Sequence, residues 1–395
     1  MLKLENAYSS VTAVLPQASM PDVRNVLENE LQMGALIWDG RGTVLSESSW
    51  KKWIPTISPA KKLLHLLTPS DRVESLEQAI ISAARLDMQS TGAVFSNPCA
   101  QMYFGADFER WLTPITEEQT GSKETKMAES LSAIFCIVGH QNSEKISRAA
   151  IDAGAHGPVV FYSEGKGLRD RLGWLRITKD HEQEVLMVIA DEDDADDIFD
   201  AMAAAGQLHL PGRGIMYRTP VSKGMFNLPS RVAHHHHDAS MQQIIHAIDQ
   251  LSGQKHWRDQ SAFYVQGRGR AAGLNSISKI VEQRNKVCLS VVVERNSAPA
   301  VMDTLLDSGA PGLNLNHAKY RTQTYSQVGS AEVAGYQFTD EFTKIRSIVD
   351  SDIADTICKK LEECEAHRQS NFCAYTTPAT RVATYVPGKK DYRAA

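Results

Sequence analysis

Short apolar runs recur along the chain in matched company. Residues 11–15, 133–138 and 287–293 are each followed by a helix-like stretch closing on a Gly-Ala pair: Gly34-Ala35, Gly154-Ala155 and Gly309-Ala310. Each set ends on an aromatic-x-(Asn/Thr)-Pro mark: Phe95-Ser96-Asn97-Pro98, Tyr217-Arg218-Thr219-Pro220 and Tyr375-Thr376-Thr377-Pro378. From the glycine of the pair to the final proline the spacing is 64, 66 and 69 residues. Such regularity marks internal repetition, and we read the chain as a triplication.

The second copy is the clearest. It predicts a strand over 132–138, a helix from Ser143 (its N-cap) through 153, a left-handed stop at Gly154, and a strand over 158–162. A loop to about 182 precedes a strand over 185–190, a helix over 193–205 and a last strand over 214–218. That order, βαββαβ, is the ferredoxin-like plait of an α+β fold. Its first and third strands are central and should be apolar on both faces, as 133–138, 185–190 and the leucines around His65 are. The two helices cover one sheet face only. The other is too large to leave wet at roughly 25 cal/mol per Å². Three such sheets facing one another would solve this, giving three tandem ferredoxin-like repeats packed as an intramolecular pseudo-trimer.

The expected units are repeat 1 over 1–112, repeat 2 over 128–225 and repeat 3 over 285–395. A polar linker covers 113–127. A longer one over 226–284 holds an amphipathic helix, capped by Ser240, striped by Met241, Ile244, Ile245, Ile248 and Leu251, and ended by Gly253.

Composition narrows the partners. The 395 residues carry 42 Lys plus Arg against 47 Asp plus Glu, a net charge of −5. No whole-chain basic field favours nucleic acid, which is not expected as a partner. Six cysteines form no CxxC pair and sit largely in apolar runs, as reduced thiols do. The N-terminus lacks the order of a signal peptide, and no apolar run approaches the roughly 20 residues that span a bilayer. The expectation is a cytoplasmic protein that is not an integral membrane protein.

Gly–basic–Gly triplets occur four times: Gly40-Arg41-Gly42, Gly165-Lys166-Gly167, Gly212-Arg213-Gly214 and Gly267-Arg268-Gly269. Chance predicts about 0.2 of them at this composition. Glycine lets backbone N–H groups approach a ligand and the cation offsets phosphate, so the triplets are candidate anion-binding residues; tight basic turns are the plain alternative.

Here the chain resembles a known family. Gly212-Arg213-Gly214-Ile215-Met216-Tyr217-Arg218-Thr219-Pro220 is similar, without gaps, to the Gly-Asp-Gly-Lys-Ile-Phe-Val-x-Pro stretch of the PII nitrogen-regulatory proteins. Tyr162-Ser163-Glu164-Gly165-Lys166-Gly167 resembles the opening of their long T-loop, and the acidic start of the second helix is similar too. The likeness is best over 131–224, weaker over 8–105 and weakest over 286–385. It implies a fused PII-like trimer in which an anionic effector, an adenine nucleotide (ATP, ADP or AMP), binds between repeats. The T-loop would then signal to a membrane transporter or metabolic enzyme. The chain departs from the family where Ile215 replaces the phosphate-binding lysine and Arg213 its aspartate; Arg213 becomes the candidate phosphate cation. The third repeat keeps no triplet, having Asn316-His317-Ala318-Lys319 and Phe372 instead.

Other features compete. His234, His235, His236 and His237 precede Asp238, with His246 and His256 downstream, and are candidate metal ligands or a solvated linker. The run Asp191 to Asp197 lacks the EF-hand glycine and reads as a helix start. Trp50-Lys51-Lys52-Trp53 at the T-loop position of repeat 1 is a contact patch or packs on its own core. No GxSxG, HExxH, Walker A or paired CxxC is present. The expected function is non-enzymatic signal transduction. The alternatives are an amide hydrolase with Ser, Lys and Arg at the pseudo-threefold centre, and a CutA-like metal binder.

Overall fold

The computed structural model describes residues 2–27, 31, 34–43, 60–88, 92–104, 125–140, 142–167, 182–226, 285–328, 331–364 and 372–385. The first segment comprises β1 (Leu2–Glu5), β2 (Tyr8–Pro16), α1 (Met20–Asn25), β3 (Ala35–Gly42), β4 (Ala60–Pro69), α2 (Val73–Ala84), β5 (Ala93–Pro98) and β6 (Gln101–Phe104). The second comprises β7 (Leu131–Gly139), α3 (Ser143–Asp152), β8 (Val159–Gly167), β9 (Glu182–Asp191), α4 (Ala195–Gly206), β10 (Ile215–Val221) and β11 (Gly224–Phe226). The third comprises β12 (Lys286–Glu294), α5 (Ala298–Asp307), β13 (Gly312–Val328), β14 (Ala331–Asp350), α6 (Ser351–Glu363), β15 (Phe372–Ala379) and β16 (Arg381–Thr384).

The fold is mixed α and β with antiparallel pairing throughout the described strands, which join in one sixteen-stranded sheet. Each segment sets four of its strands side by side in one order: β5-β2-β4-β3, β10-β7-β9-β8 and β15-β12-β14-β13. The aromatic–proline marks fall at one register. Phe95 stands opposite Thr12, Tyr217 opposite Phe135 and Tyr375 opposite Ser290, with the three prolines opposite Ser9, Ser132 and Val287. The Gly-Ala alanines are all buried, and Gly154 and Gly309 turn their chains at φ 102° and 101°.

Alternation along the strands separates two kinds of core. On one face each sheet packs on its own helices: Val11, Ala13 and Leu15 against α2, Ile134 and Cys136 against α3 and α4, and Val291 and Val293 against α5 and α6. On the other face Leu63, Phe95, Phe135, Phe161, Met187, Tyr217, Val292 and Tyr375 belong to one cluster shared by all three segments. Its burial accounts for the runs that are apolar on both faces.

Two sets of pairings link the segments. Gly40 and Gly42 of β3 pair with Phe161 and Val159 of β8. Gly165 and Gly167 of β8 pair with Asn314 and Gly312 of β13, and Lys319 and Arg321 of β13 return to Ile37 and Ala35 of β3. The second strands therefore close a triangle. Short trailing strands, which apolar periodicity did not foresee, close a ring: β6 on β15, β11 on β5 and β16 on β10.

Charge follows the ring. Lys223 lies 3.5 Å from Glu74 of α2, and Arg381 donates to Asp196 and Asp200 of α4 at 3.0 and 2.8 Å. Lys3 lies 3.6 Å from Asp355 of α6, which also accepts from the Tyr103 hydroxyl at 2.8 Å. One expectation changes. Ser143 is the first helical residue rather than the cap: Asn142 holds that position without a capping side-chain bond, while the Ser143 hydroxyl donates to Glu184 at 2.5 Å. In the third segment β13 and β14 run on as a long hairpin pairing as far as Val328 with Ala331. No helix among the described residues is long and apolar enough to cross a membrane.

Arg381 also lies over the Phe199 ring, 4.7 Å from its centroid, with 16 % of its side chain exposed. Replacing it, Arg381→Met, should cost about 2 kcal/mol of stability, read as a lowered urea midpoint. An unchanged midpoint would mean that β16 does not fasten the second and third segments.

Candidate functional site

The triplets occupy two boundaries. Gly40 and Gly42 lie on the shared-core face of β3, where a side chain at Gly40 would collide with Leu63. Arg41 points to the other face, across to the second segment. Its guanidinium donates to Glu184 at 3.0 Å and to the Ser143 hydroxyl at 3.4 Å, and His140 Nδ1 lies 3.5 Å from the same carboxylate. Glu184 is 1 % exposed, so this buried acid gathers donors from two segments. Tyr162 stands exposed beside His140, ring centroids 6.1 Å apart.

Both triplets of the second segment border the third. Gly165, Lys166 and Gly167 lie in the β8–β13 ladder, with the Lys166 side chain exposed. Gly212, Arg213 and Gly214 form the turn before β10, with Gly212 at φ 73° and Gly214 at φ 121°. A Cβ at Gly214 would strike the Ile137 carbonyl, so glycine there serves both left-handed backbone and close packing on β7. Thr384 of β16 donates to the Gly214 carbonyl at 3.2 Å, and Arg213 is exposed beside this junction. Gly40 to Gly42 and Gly165 to Gly167 lie within strand ladders, whereas Gly212 to Gly214 form a loop–strand junction. Gly267, Arg268 and Gly269 fall outside the described residues, as do His234, His235, His236 and His237, Trp50 to Trp53 and the 240–253 stripe. Among the described residues no group of three or more His, Cys, Asp or Glu could hold a metal ion. The acidic run is partly engaged: Glu192 and Asp196 accept from Arg218, and Asp196 also from Arg381.

A second constellation, which the sequence reading missed, lies in the shared core. Lys344 and Arg346 of β14 are 6 % and 5 % exposed. Lys344 stands opposite Val292, at the register where the other sheets place Leu63 opposite Val14 and Val185 opposite Ile137. Arg346 stands opposite Ser290, where the others have His65 opposite Thr12 and Met187 opposite Phe135. The available signal was two cations, spaced by two, in a strand whose counterparts carry Leu63 with His65 and Val185 with Met187.

His65 ties the segments together. Its Nε2 lies 2.6 Å from the Tyr375 hydroxyl and 3.0 Å from Lys344 Nζ, and its Nδ1 lies 3.3 Å from the Thr12 hydroxyl. With the proton on Nδ1, facing Thr12, Nε2 offers one lone pair to two donors. Burial, with Lys344 and Arg346 beside it, drives the imidazole well below its ordinary value. Burial and the neighbouring Arg346 likewise hold Lys344 well below the usual lysine range. Arg346 donates to Asn316 and lies over Phe135 and Phe161, 5.9 and 5.5 Å from their centroids.

One further acid is out of place. Glu77 of α2 is fully buried, and neither carboxylate oxygen has a hydrogen-bond partner. Burial pushes its carboxyl up to about 7; Ser96 and Lys223 pull it down and Glu74 adds to the rise.

No family model and no curated protein matches this chain. Among solved structures it is similar to an unknown protein from Galdieria sulphuraria at 10 % identity, covering 63 % of this chain and 99 % of that one, with a TM-score of 0.18. A mutant chlorite dismutase from Candidatus Nitrospira defluvii matches at 10 % identity, covering 64 % and 93 % of the two chains, with a TM-score of 0.14. The imidazole complex of that organism's chlorite dismutase gives 11 % identity, 64 % and 92 % coverage and a TM-score of 0.15. Overlaps this poor carry no conclusion about fold or chemistry.

Glu77 makes stability depend on pH. The folded protein keeps its proton up to about 7, whereas the unfolded chain releases it near 4.5, so stability falls as pH rises through that window. Glu77→Gln should remove this slope and stabilise the protein above pH 7 by about 3 kcal/mol. Urea titrations of both proteins at pH 5 and pH 8 would show it; parallel pH profiles would contradict it.

Proposed function

We propose that the chain is a non-enzymatic regulatory protein of PII-like build: three ferredoxin-like repeats packed as an intramolecular pseudo-trimer, binding a small anionic effector at repeat boundaries. The observation that carries this is the circular pairing. Each second strand leans on the next, and each trailing strand completes a neighbour's sheet, in the same sense around the ring. The common strand order, the matched registers and the shared core support it equally.

The effector site favoured is the boundary of the second and third repeats. There Gly165, Lys166 and Gly167 end one edge strand of the second repeat and Gly212, Arg213 and Gly214 precede the opposite one, each against the third repeat, where Thr384 touches the Gly214 carbonyl. Lys166 and Arg213 are exposed and supply positive charge to phosphate. The effector class is an adenine nucleotide. Binding would order the segment following Gly167, and that segment would engage a transporter or metabolic enzyme. Linkage then requires the partner to change effector affinity by the factor that the effector changes partner affinity.

Calorimetry of the full chain with ATP, ADP, AMP and bicarbonate tests this. Saturable binding of a nucleotide, weakened about tenfold or more by Lys166→Ala with Arg213→Ala, is expected. No binding, or binding indifferent to the double substitution, would overturn the assignment.

A further inference from the structure

Among the described residues the Arg346 guanidinium, in the shared core, has no counter-ion. Arginine cannot shed its proton in a protein. Arg346 is 5 % exposed, and among the described residues no carboxylate is in ion-pair contact with it or with Lys344. Burying an unpaired charge is strongly unfavourable. The faces of Phe135 and Phe161 offset only part of that cost as cation–π contacts. Of the nearby acids, burial pushes the Cys99 thiol up to about 12 and raises Cys373, Tyr217 and Tyr375 well above their ordinary values, leaving these four neutral.

The same place holds orphaned donors, beside one orphaned acceptor, Asn314 Oδ1, on the residue opposite Arg346. Arg346 Nε and Trp38 Nε1 are buried without a hydrogen-bond partner, although both residues are more than nine-tenths buried. Lys344 shares its one acceptor, His65 Nε2, with Tyr375. These groups are neighbours. Phe161 lies against both Arg346, at 5.5 Å, and Trp38, at 5.9 Å, while the His65 ring centroid is 6.3 Å from that of Trp38.

We propose that a small monovalent inorganic anion, of chloride to nitrate or bicarbonate size, binds in the shared core between Lys344, Arg346 and Trp38. It would supply the missing negative charge and accept from the orphaned N–H groups. The site is distinct from the boundary assigned to the nucleotide, and its close packing restricts it to an ion of a few atoms.

Binding should take up a proton. Lys344 faces His65 from β4, Arg346 from its own strand, Tyr375 and Cys373 from β15, Cys288 from β12 and Cys99 just after β5. An anion is the one addition that favours charged lysine there, so affinity should rise as pH falls.

The test is an anion titration of the full chain, dialysed into a zwitterionic buffer, with sodium chloride, nitrate and bicarbonate. Sodium gluconate at equal ionic strength serves as the bulky comparison, and the unfolding midpoint and proton uptake are read. A small anion should raise the midpoint saturably and gluconate should not. Arg346→Met should weaken the effect about tenfold or more. Lys344→Met, which leaves an apolar side chain of similar length, should abolish the pH dependence. A salt response in wild type that is linear or matched by gluconate would overturn the proposal, and that comparison needs no variant to fold. An identical saturable response in Lys344→Met and wild type would overturn it as well. Nucleotide binding measured alongside separates the two sites, since loss of one response with retention of the other identifies which assignment fails.

Discussion

A sheet with helices on one side has a bare side, and everything distinctive here follows from covering it. Phe95, Phe135, Phe161 and Tyr375 come from three different sheets yet share one cluster. At roughly 25 cal/mol per Å², that burial outweighs any single boundary hydrogen bond, each worth about 1 kcal/mol net. No segment could bury its second face alone. The separate helix-side cores make each segment a partial unit, and the shared core makes them one body.

Edges pose the next problem. An open sheet edge is a template for unwanted pairing. The second strand of each segment lies at such an edge, and the triangle of β3, β8 and β13 closes all three on one another. The opposite edges, β5, β10 and β15, are each covered by a neighbour's trailing strand. Glycines belong to this closure. At Gly40 and Gly165 a side chain would meet Leu63 or Gln183, so a motif that reads as a phosphate cradle also permits strands to approach closely.

The strands and helices were largely legible because burial on two faces leaves a dense apolar signal, as in 133–138 and 185–190. The aromatic–proline mark was legible because it keeps one register in all three sheets. The trailing strands were not: three or four residues are too few to show a period, and their role depends on a partner far along the chain. Ser143 looked like a cap because capping is local, yet its hydroxyl serves Glu184, 41 residues away. Lys344 and His65, 279 residues apart, show the limit most clearly, because nothing near either one announces the other.

Three segments of one polypeptide need not be identical. In an assembly of three identical subunits, any cation at the position of Lys344 would appear three times around the axis, and Arg346 three times beside it. Six like charges in a space without water would force the subunits apart. Here Leu63 and Val185 stand where the third segment has Lys344, and His65 and Met187 where it has Arg346, so the lysine–arginine pair occurs once and can be neutralised once. Unlike segments of a single chain can thus keep a polar heart that identical subunits would have to give up.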